Sequence, residues 1–306
     1  MNEILKSFQI IFLLILISPN SYGQSVAITI DDVPNIKNNL LSKLDSLSIP
    51  IAIFINEGKI YKSETVDKNH AILENWIKRH YITIGNHTFN HSRYSEVGIN
   101  SFKIDIEKGT LISLELAKKY NKKLKYFRFP YNDLGHDSIQ HKQIANYLIS
   151  KKYIITPFTI ESIDWMYNSV YEYYLKQDDK TNADKIGNAY VQKTLELFNY
   201  FEKIGFDKYH RNISQIYLCH DNQLNTDYLP VLINELKNKK YKFISLEKAL
   251  KDKIYSQTDN YNKKWGISWM YRWLHSKEEL KSLQTQEPST EEIENIYHKT
   301  IEKSKS

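Results

Sequence analysis

A chain of 306 residues with 41% hydrophobic and 13% aromatic content can bury one large barrel-type core or two modest ones, which excludes global disorder. The formal charge of +6 is spread through the chain and no Lys/Arg block resembles a nucleic-acid arm, so no nucleic-acid partner is assigned. The single cysteine, Cys219, excludes an intramolecular disulfide, and its apolar run Ile216–Cys219 predicts a packed, inert thiol.

At the N-terminus, Lys6 precedes an apolar run from Ile10 to Ile17 that is short for a mature membrane span. Ser21 and Gly23 are small residues placed like the −3 and −1 positions of a signal-peptidase site. Cleavage after Gly23 is therefore expected, leaving an exported protein, periplasmic or secreted, without a stable membrane anchor. An uncleaved anchor is the alternative.

Beyond this leader, apolar β-type runs alternate with helical spacing. Val26–Ile30, Ile51–Ile55, Ile82–Ile84, Tyr126–Phe129, Tyr153–Ile155, Ile216–Leu218 and Lys242–Ile244 read as strands. Helices are expected around Leu40–Leu47, Ile72–Ile77, Ile104–Leu116, Ile139–Ile149, Ala189–Phe201 and Tyr228–Leu236. Such alternation predicts a parallel sheet, open or closed into a barrel, and the lack of Gly-x-Gly-x-x-Gly after the first strand disfavours a dinucleotide fold. Residues 166–207 read as a Tyr-rich, then helical insertion. The tail beyond Lys251 is polar, with Trp265, Trp269 and Trp273 at helical spacing as one aromatic face. Burial of that face against the barrel is favoured over a sugar-stacking platform.

Five clusters carry the chemistry: Thr29–Pro34, His87–His91, Arg128–Tyr131, Asp164-Trp165 and Leu218–Asp221. Asp31 and Asp32 are adjacent carboxylates at a strand end, where fraying lets both face one site. Their repulsion calls for a divalent ion on one and an arginine on the other. Taken alone, a solvated Asp-Asp turn before Pro34 is the better explanation of them. His87 and His91, four apart on one side of a helical turn, complete two imidazoles and a carboxylate with Asp32, leaving positions open for water and substrate. Zinc suits these ligands, with nickel, cobalt, manganese or iron as alternatives. Arg128, between aromatic residues, is expected to grip Asp31 in bidentate fashion and orient it as a general base. Asp164 would hold His220 protonated as a general acid, the alternative being a buried structural histidine.

In that order, the clusters resemble the five motifs of polysaccharide deacetylases of the NodB-homology type, carbohydrate esterase family 4. The resemblance covers roughly residues 25–250 and implies a distorted (β/α) barrel of about seven parallel strands. It implies that Asp31 is the base, that Asp32, His87 and His91 bind the metal, and that Arg128 orients Asp31. The Tyr131 backbone N–H would stabilise the oxyanion, Asp164 would tune the acid His220, and Trp165 and Leu218 would line the acetyl-methyl pocket. Val33, Asn132 and Asp133 stand where the family often has glycine, which alters the cleft and deletes no chemistry. The expected organisation is a leader (1–23), a deacetylase domain (24–250) with the 166–207 insertion, and a C-terminal appendage (251–306) on the barrel. The expected substrate is an acetylated polysaccharide or oligosaccharide of the cell envelope. A non-haem iron oxygenase, which also uses two histidines and a carboxylate, and a carbohydrate-binding barrel without catalysis are the rival readings.

Overall fold

The computed structural model describes residues 24–61 and 65–302. The expected leader, residues 1–23, lies outside them.

In chain order the first elements are β1 (Ser25–Val33), α1 (Leu40–Asp45), β2 (Ile51–Ile55), α2 (Val66–Ile77), β3 (Ile82–Asn86), α3 (Tyr94–Lys108), α4 (Leu111–Lys119) and β4 (Tyr126–Phe127). There follow α5 (Ser138–Ser150), β5 (Ile154–Ile155), β6 (Ile160–Glu161), α6 (Asp164–Lys176), α7 (Lys180–Tyr209), β7 (Ser214–His220), α8 (Gln223–Asn238), β8 (Lys242–Phe243) and α9 (Leu246–Ala249). The tail carries α10 (Trp269–Arg272), α11 (Lys277–Gln286) and α12 (Glu291–Tyr297). Seven strands run side by side in the order β5-β4-β3-β2-β1-β7-β6, every pairing parallel, and β8 joins the first two residues of β1. This is the curled, barrel-like sheet with surrounding helices expected from the alternation of apolar runs.

The period-2 alternation of a strand sorts side chains between two faces. Val26, Ile28 and Ile30 of β1, Ile51, Ile53 and Ile55 of β2, and Tyr217 and Cys219 of β7 pack with the helices in the larger core. Ala27 of β1, Ala52 and Phe54 of β2, and Ile216 and Leu218 of β7 fill the other face, closed over by Leu246 and Ala249 of α9. Extending the second series by two residues at a time reaches Thr29 and Asp31 in β1 and His220 in β7. The alternation that builds the inner core thus delivers polar groups to the C-terminal strand ends, and Asp31 and His220 stand opposite each other in register.

Three expectations are corrected. The helix expected over Ile104–Leu116 is two, α3 and α4, because Gly109 ends the first beside the backbone of residues 88–89. The short strand β6 was hidden in sequence, since Ile160–Glu161 offers one apolar residue and no alternation. The three tryptophans do not share a helix: α10 is four residues long, Trp269 opens it, Trp273 follows it, and Trp265 precedes it in a loop. Trp273 is accordingly buried and Trp265 is 61% exposed. The 166–207 stretch belongs to α6 and the 30-residue α7, which pack on α8. No helix among the described residues is long and apolar enough to cross a membrane.

A Cβ added at Gly109 would lie 2.6 Å from the Thr88 carbonyl carbon and 2.8 Å from the Phe89 nitrogen. Its φ of −75° suits any residue, so the constraint is steric. Gly109→Ala is expected to destabilise the fold by about 1–3 kcal/mol in urea unfolding and to weaken divalent-ion binding by displacing the His87–His91 loop. Wild-type stability and wild-type affinity together would show that this loop does not lean on Gly109.

Candidate metal and acid–base site

The two carboxylates meet at an irregularity in β1. Its register with β2 shifts between Ile30 and Val33, and Asp32 takes a left-handed φ of 68°. Regular alternation would send Asp32 to the face opposite Asp31. The extra residue of the bulge turns it back, so the cause is a bulge and not a frayed end.

His87 directly follows β3, and the segment through His91 is a loop with left-handed residues at Thr88 (φ 63°) and His91 (φ 59°). The expected helical turn is therefore corrected, although the four-residue spacing still brings the rings together, centroids 4.9 Å apart. The loop is tied down from behind. Asn56 Nδ2 donates to the carbonyls of Thr88 and Phe89 at 3.0 and 2.9 Å, and the Gly58 N–H donates to the Phe89 carbonyl at 3.1 Å.

Asp32, His87 and His91 each offer one ligand atom, and these lie within 4.8 Å of one another. Asp32 Oδ1 is 3.2 Å from His91 Nε2 and 3.7 Å from His87 Nε2, and it is buried without a hydrogen bond. His87 Nδ1 sits 2.9 Å from the Arg128 carbonyl, which only accepts, so Nδ1 carries the proton and Nε2 presents its lone pair. Burial pushes both imidazoles down to about 4 against the pull of Asp32, so they are neutral near pH 7. Burial opposes ionisation of Asp32 too, but Lys59, His91 and His87 outweigh it and hold its carboxyl below the ordinary range. An orphaned, buried carboxylate oxygen facing two bare imidazole nitrogens fits a divalent cation.

Arg128, directly after β4, is 1% exposed. Its Nη1 donates to Thr29 Oγ1 at 2.7 Å and to Asp31 Oδ1 at 3.1 Å, its Nη2 donates to the Pro157 carbonyl at 3.1 Å, and its guanidinium carbon lies 4.4 Å from the Phe54 ring centroid. The expected bidentate grip is thus corrected to a single bond, because the other Nη group is turned to Pro157. Burial raises the Asp31 carboxyl above its ordinary value, against the lowering charges of Arg128 and His220. A carboxylate moved in that direction is a better proton acceptor than a solvated one.

On the neighbouring strand, His220 Nδ1 lies 2.6 Å from Asp164 Oδ1. Asp164 is fully buried, and its Oδ2 accepts from the His220 backbone N–H at 2.8 Å, Asn222 Nδ2 at 3.0 Å and Asn225 Nδ2 at 2.5 Å. Burial works against a charged imidazole, yet the Asp164 charge and hydrogen bond prevail and raise His220 to about 10. The Asp164 carboxylate thus favours the imidazolium form of this ring.

Tyr131 occupies a left-handed position (φ 57°) after Pro130, and its ring centroid is 4.6 Å from that of His91. Trp165, in the first turn of α6, is 46% exposed and meets Tyr297 edge-on. Leu218 is buried in the inner core two residues before His220. Sequence reasoning missed Thr29, Asn222, Asn225 and Lys59. Thr29 was findable, being two residues before Asp31 on one strand face. Lys59, whose Nζ lies 3.4 Å from Asp32 Oδ2 and donates to the Asp32 carbonyl at 2.7 Å, carries no pattern that would single it out.

A family model described as polysaccharide deacetylase matches residues 19–149. No curated protein matches the chain. Among solved structures, the Bc1960 peptidoglycan N-acetylglucosamine deacetylase is 21% identical, with 75% of this chain and 89% of that one covered and a TM-score of 0.51. The catalytic domain of a peptidoglycan N-acetylglucosamine deacetylase from Eubacterium rectale is 16% identical over 73% of this chain and 89% of its own, with a TM-score of 0.50. At such identities the likeness is one of fold. The matched segment contains the first three clusters, and with the shared fold it makes this chain similar to the polysaccharide deacetylases of the NodB-homology type, carbohydrate esterase family 4.

Proposed function

We propose that this protein is a metal-dependent hydrolase that removes acetyl groups, principally N-acetyl, from a cell-envelope or extracellular polysaccharide. The observation that carries the reading is the convergence of Asp32, His87 and His91 beside an arginine-held Asp31 and an imidazolium at His220. A divalent ion, zinc by ligand preference, would be held by Asp32 Oδ1 and the two Nε2 atoms and would supply Lewis acidity to the acetyl carbonyl and the attacking water.

The chain's own groups do the rest. Asp31 takes the proton from the attacking water, its orientation fixed by Arg128 and its basicity raised by burial. The Tyr131 backbone N–H donates to the carbonyl oxygen as negative charge gathers there, a contribution of roughly 3–4 kcal/mol for a well-placed donor. His220 gives its proton to the departing amine, and Asp164 keeps that proton available. Trp165 and Leu218 are assigned to the pocket for the acetyl methyl group. The organisation proposed with this activity is a leader at 1–23, a deacetylase domain at 24–250 and an appendage from 251, acting in the periplasm or outside the cell. Lys6, the short apolar run and the small residues Ser21 and Gly23 support export. The all-parallel sheet disfavours the oxygenase reading, which called for a jelly roll.

Acetate release from a panel of acetylated glycans, with and without chelator, tests the activity. Asp31→Asn is expected to lower release by about 10²–10⁴-fold while zinc still binds in calorimetry, whereas His87→Ala loses both. Full activity in Asp31→Asn would remove the base assignment, and saturable glycan binding by wild type without acetate release would favour a binding protein.

The pH dependence tests the acid. Because His220 is raised to about 10, its protonated, donating form persists through neutral pH, and kcat/KM should fall only as pH rises through that value. Asp164→Asn removes the strongest opposition to burial and leaves only the charges of Asp32 and Asp31, so the alkaline limb moves to lower pH. A limb that stays in place would show that the ionisation lies elsewhere.

A further inference from the structure

The segment between α9 and α10 lies beyond the matched region, yet it is pinned against the proposed cleft from both ends. At one end Arg272, 1% exposed, pairs with Asp259, and the Asn260 N–H donates to the Arg272 carbonyl at 2.8 Å. At the other end Ser268 Oγ donates to the Thr159 carbonyl at 2.6 Å and the Trp269 N–H to the Phe158 carbonyl at 3.0 Å. Between them Gly266 is pressed on Asn132, where an added Cβ would come within 2.0 Å of the Asn132 Cβ and 2.6 Å of its carbonyl oxygen. Asn132 is the residue after Tyr131.

This strap presents Trp265 to solvent at 61% exposure. The Arg93 guanidinium carbon lies 3.7 Å from the Tyr131 ring centroid and 5.5 Å from that of Trp265. Trp265 is thus one guanidinium away from Tyr131, whose ring in turn meets the candidate ligand His91. Glu96 pairs with Lys264 at 3.0 Å and with Arg93 at 3.8 Å, one carboxylate shared by two cations, and the Lys264 ammonium also lies 5.3 Å from the Trp265 ring centroid. An anchored loop that holds a large apolar ring out of the core, one guanidinium from Tyr131, offers an aromatic face to a ligand with a flat, C–H-lined face. A pyranose has that face.

We propose that Trp265 is a sugar-stacking subsite, binding a pyranose next to the one that loses its acetyl group. The inference rests on the proposed deacetylation and adds to it a residue that contacts a sugar outside the reacting one. The strap serves to fix the distance between Trp265 and the reacting end.

Acetate release from the di- and hexasaccharide of N-acetylglucosamine is measured with the full chain as wild type, Trp265→Ala and Trp265→Phe. The alanine variant is expected to raise KM for the hexasaccharide about tenfold with kcat little changed and a smaller effect on the disaccharide. The phenylalanine variant recovers most of the loss. An unchanged hexasaccharide KM in Trp265→Ala overturns the subsite. Binding separates this failure from failure of the enzymatic reading: calorimetry of the hexasaccharide uses Asp31→Asn alone and combined with Trp265→Ala. Weaker binding in the double variant supports the subsite even if wild type releases no acetate. Equal binding by the two overturns it and leaves deacetylation standing.

Discussion

Two adjacent carboxylates at one strand end, one buried and one half-buried, set the terms for everything around them. Asp31 is 2% exposed and Asp32 lies beside it. Like charges this close cannot both stay ionised unless each has its own compensation. The structure divides the task by direction. Arg128 approaches Asp31 from the inner core, while Lys59, His87 and His91 surround Asp32 on the other side. The outcomes are opposite, with Asp31 raised and Asp32 lowered. A bulged strand has therefore made two chemically different groups from two identical neighbours: one is shifted toward holding a proton, and the other toward staying ionised.

The same logic with inverted sign operates across the register at His220. Burial alone would neutralise that imidazole, as it neutralises His87 and His91. The difference is Asp164, whose remaining oxygen is saturated by two asparagine amides and a backbone N–H. Those donors, with the His220 charge, favour the ionised carboxylate, and the carboxylate in turn favours the proton on the histidine. His87 and His220 are thus shifted in opposite directions because their contacts differ: His220 Nδ1 bonds a buried carboxylate at 2.6 Å, whereas His87 Nδ1 meets a carbonyl and its Nε2 stands 3.7 Å from the nearer carboxylate. Environments that push titratable groups apart are what acid and base roles at one pH require.

Much of this was legible from the chain. Strand periodicity located the inner face, and the residues that break its apolar character at the strand ends, Asp31, His87, Arg128 and His220, are those the site uses. The parts that were not legible depend on backbone conformation and on long-range approach. Nothing local distinguishes a bulge at Asp32 from a frayed end, since both leave the same residues. The four-residue spacing of His87 and His91 fits a helical turn as well as a loop with two left-handed residues, and only the ties to Asn56 and Gly58 decide for the loop. Lys59 reaches Asp32 across 27 residues of sequence, a proximity that no periodicity encodes. The tryptophan spacing misled for a related reason, because a period is evidence of a helix only when the intervening residues continue it. Gly266 instead serves a close approach to Asn132.

Left-handed backbone at Asp32, Thr88, His91 and Tyr131 gathers around one cavity. Non-glycine residues hold such conformations at a cost of order 1–3 kcal/mol each, so the neighbouring structure must over-determine them. That structure is visible on every side: the register with β7 holds Asp31 and Lys59 holds the Asp32 carbonyl, Asn56 and Gly109 back the histidine loop, and the strap leans on the residue after Tyr131. The outer parts of the fold, including the C-terminal segment, therefore bear on the chemistry without supplying a reacting atom. They keep strained donors and acceptors in place before substrate arrives, which is where a site built on electrostatic preorganisation must spend its stability.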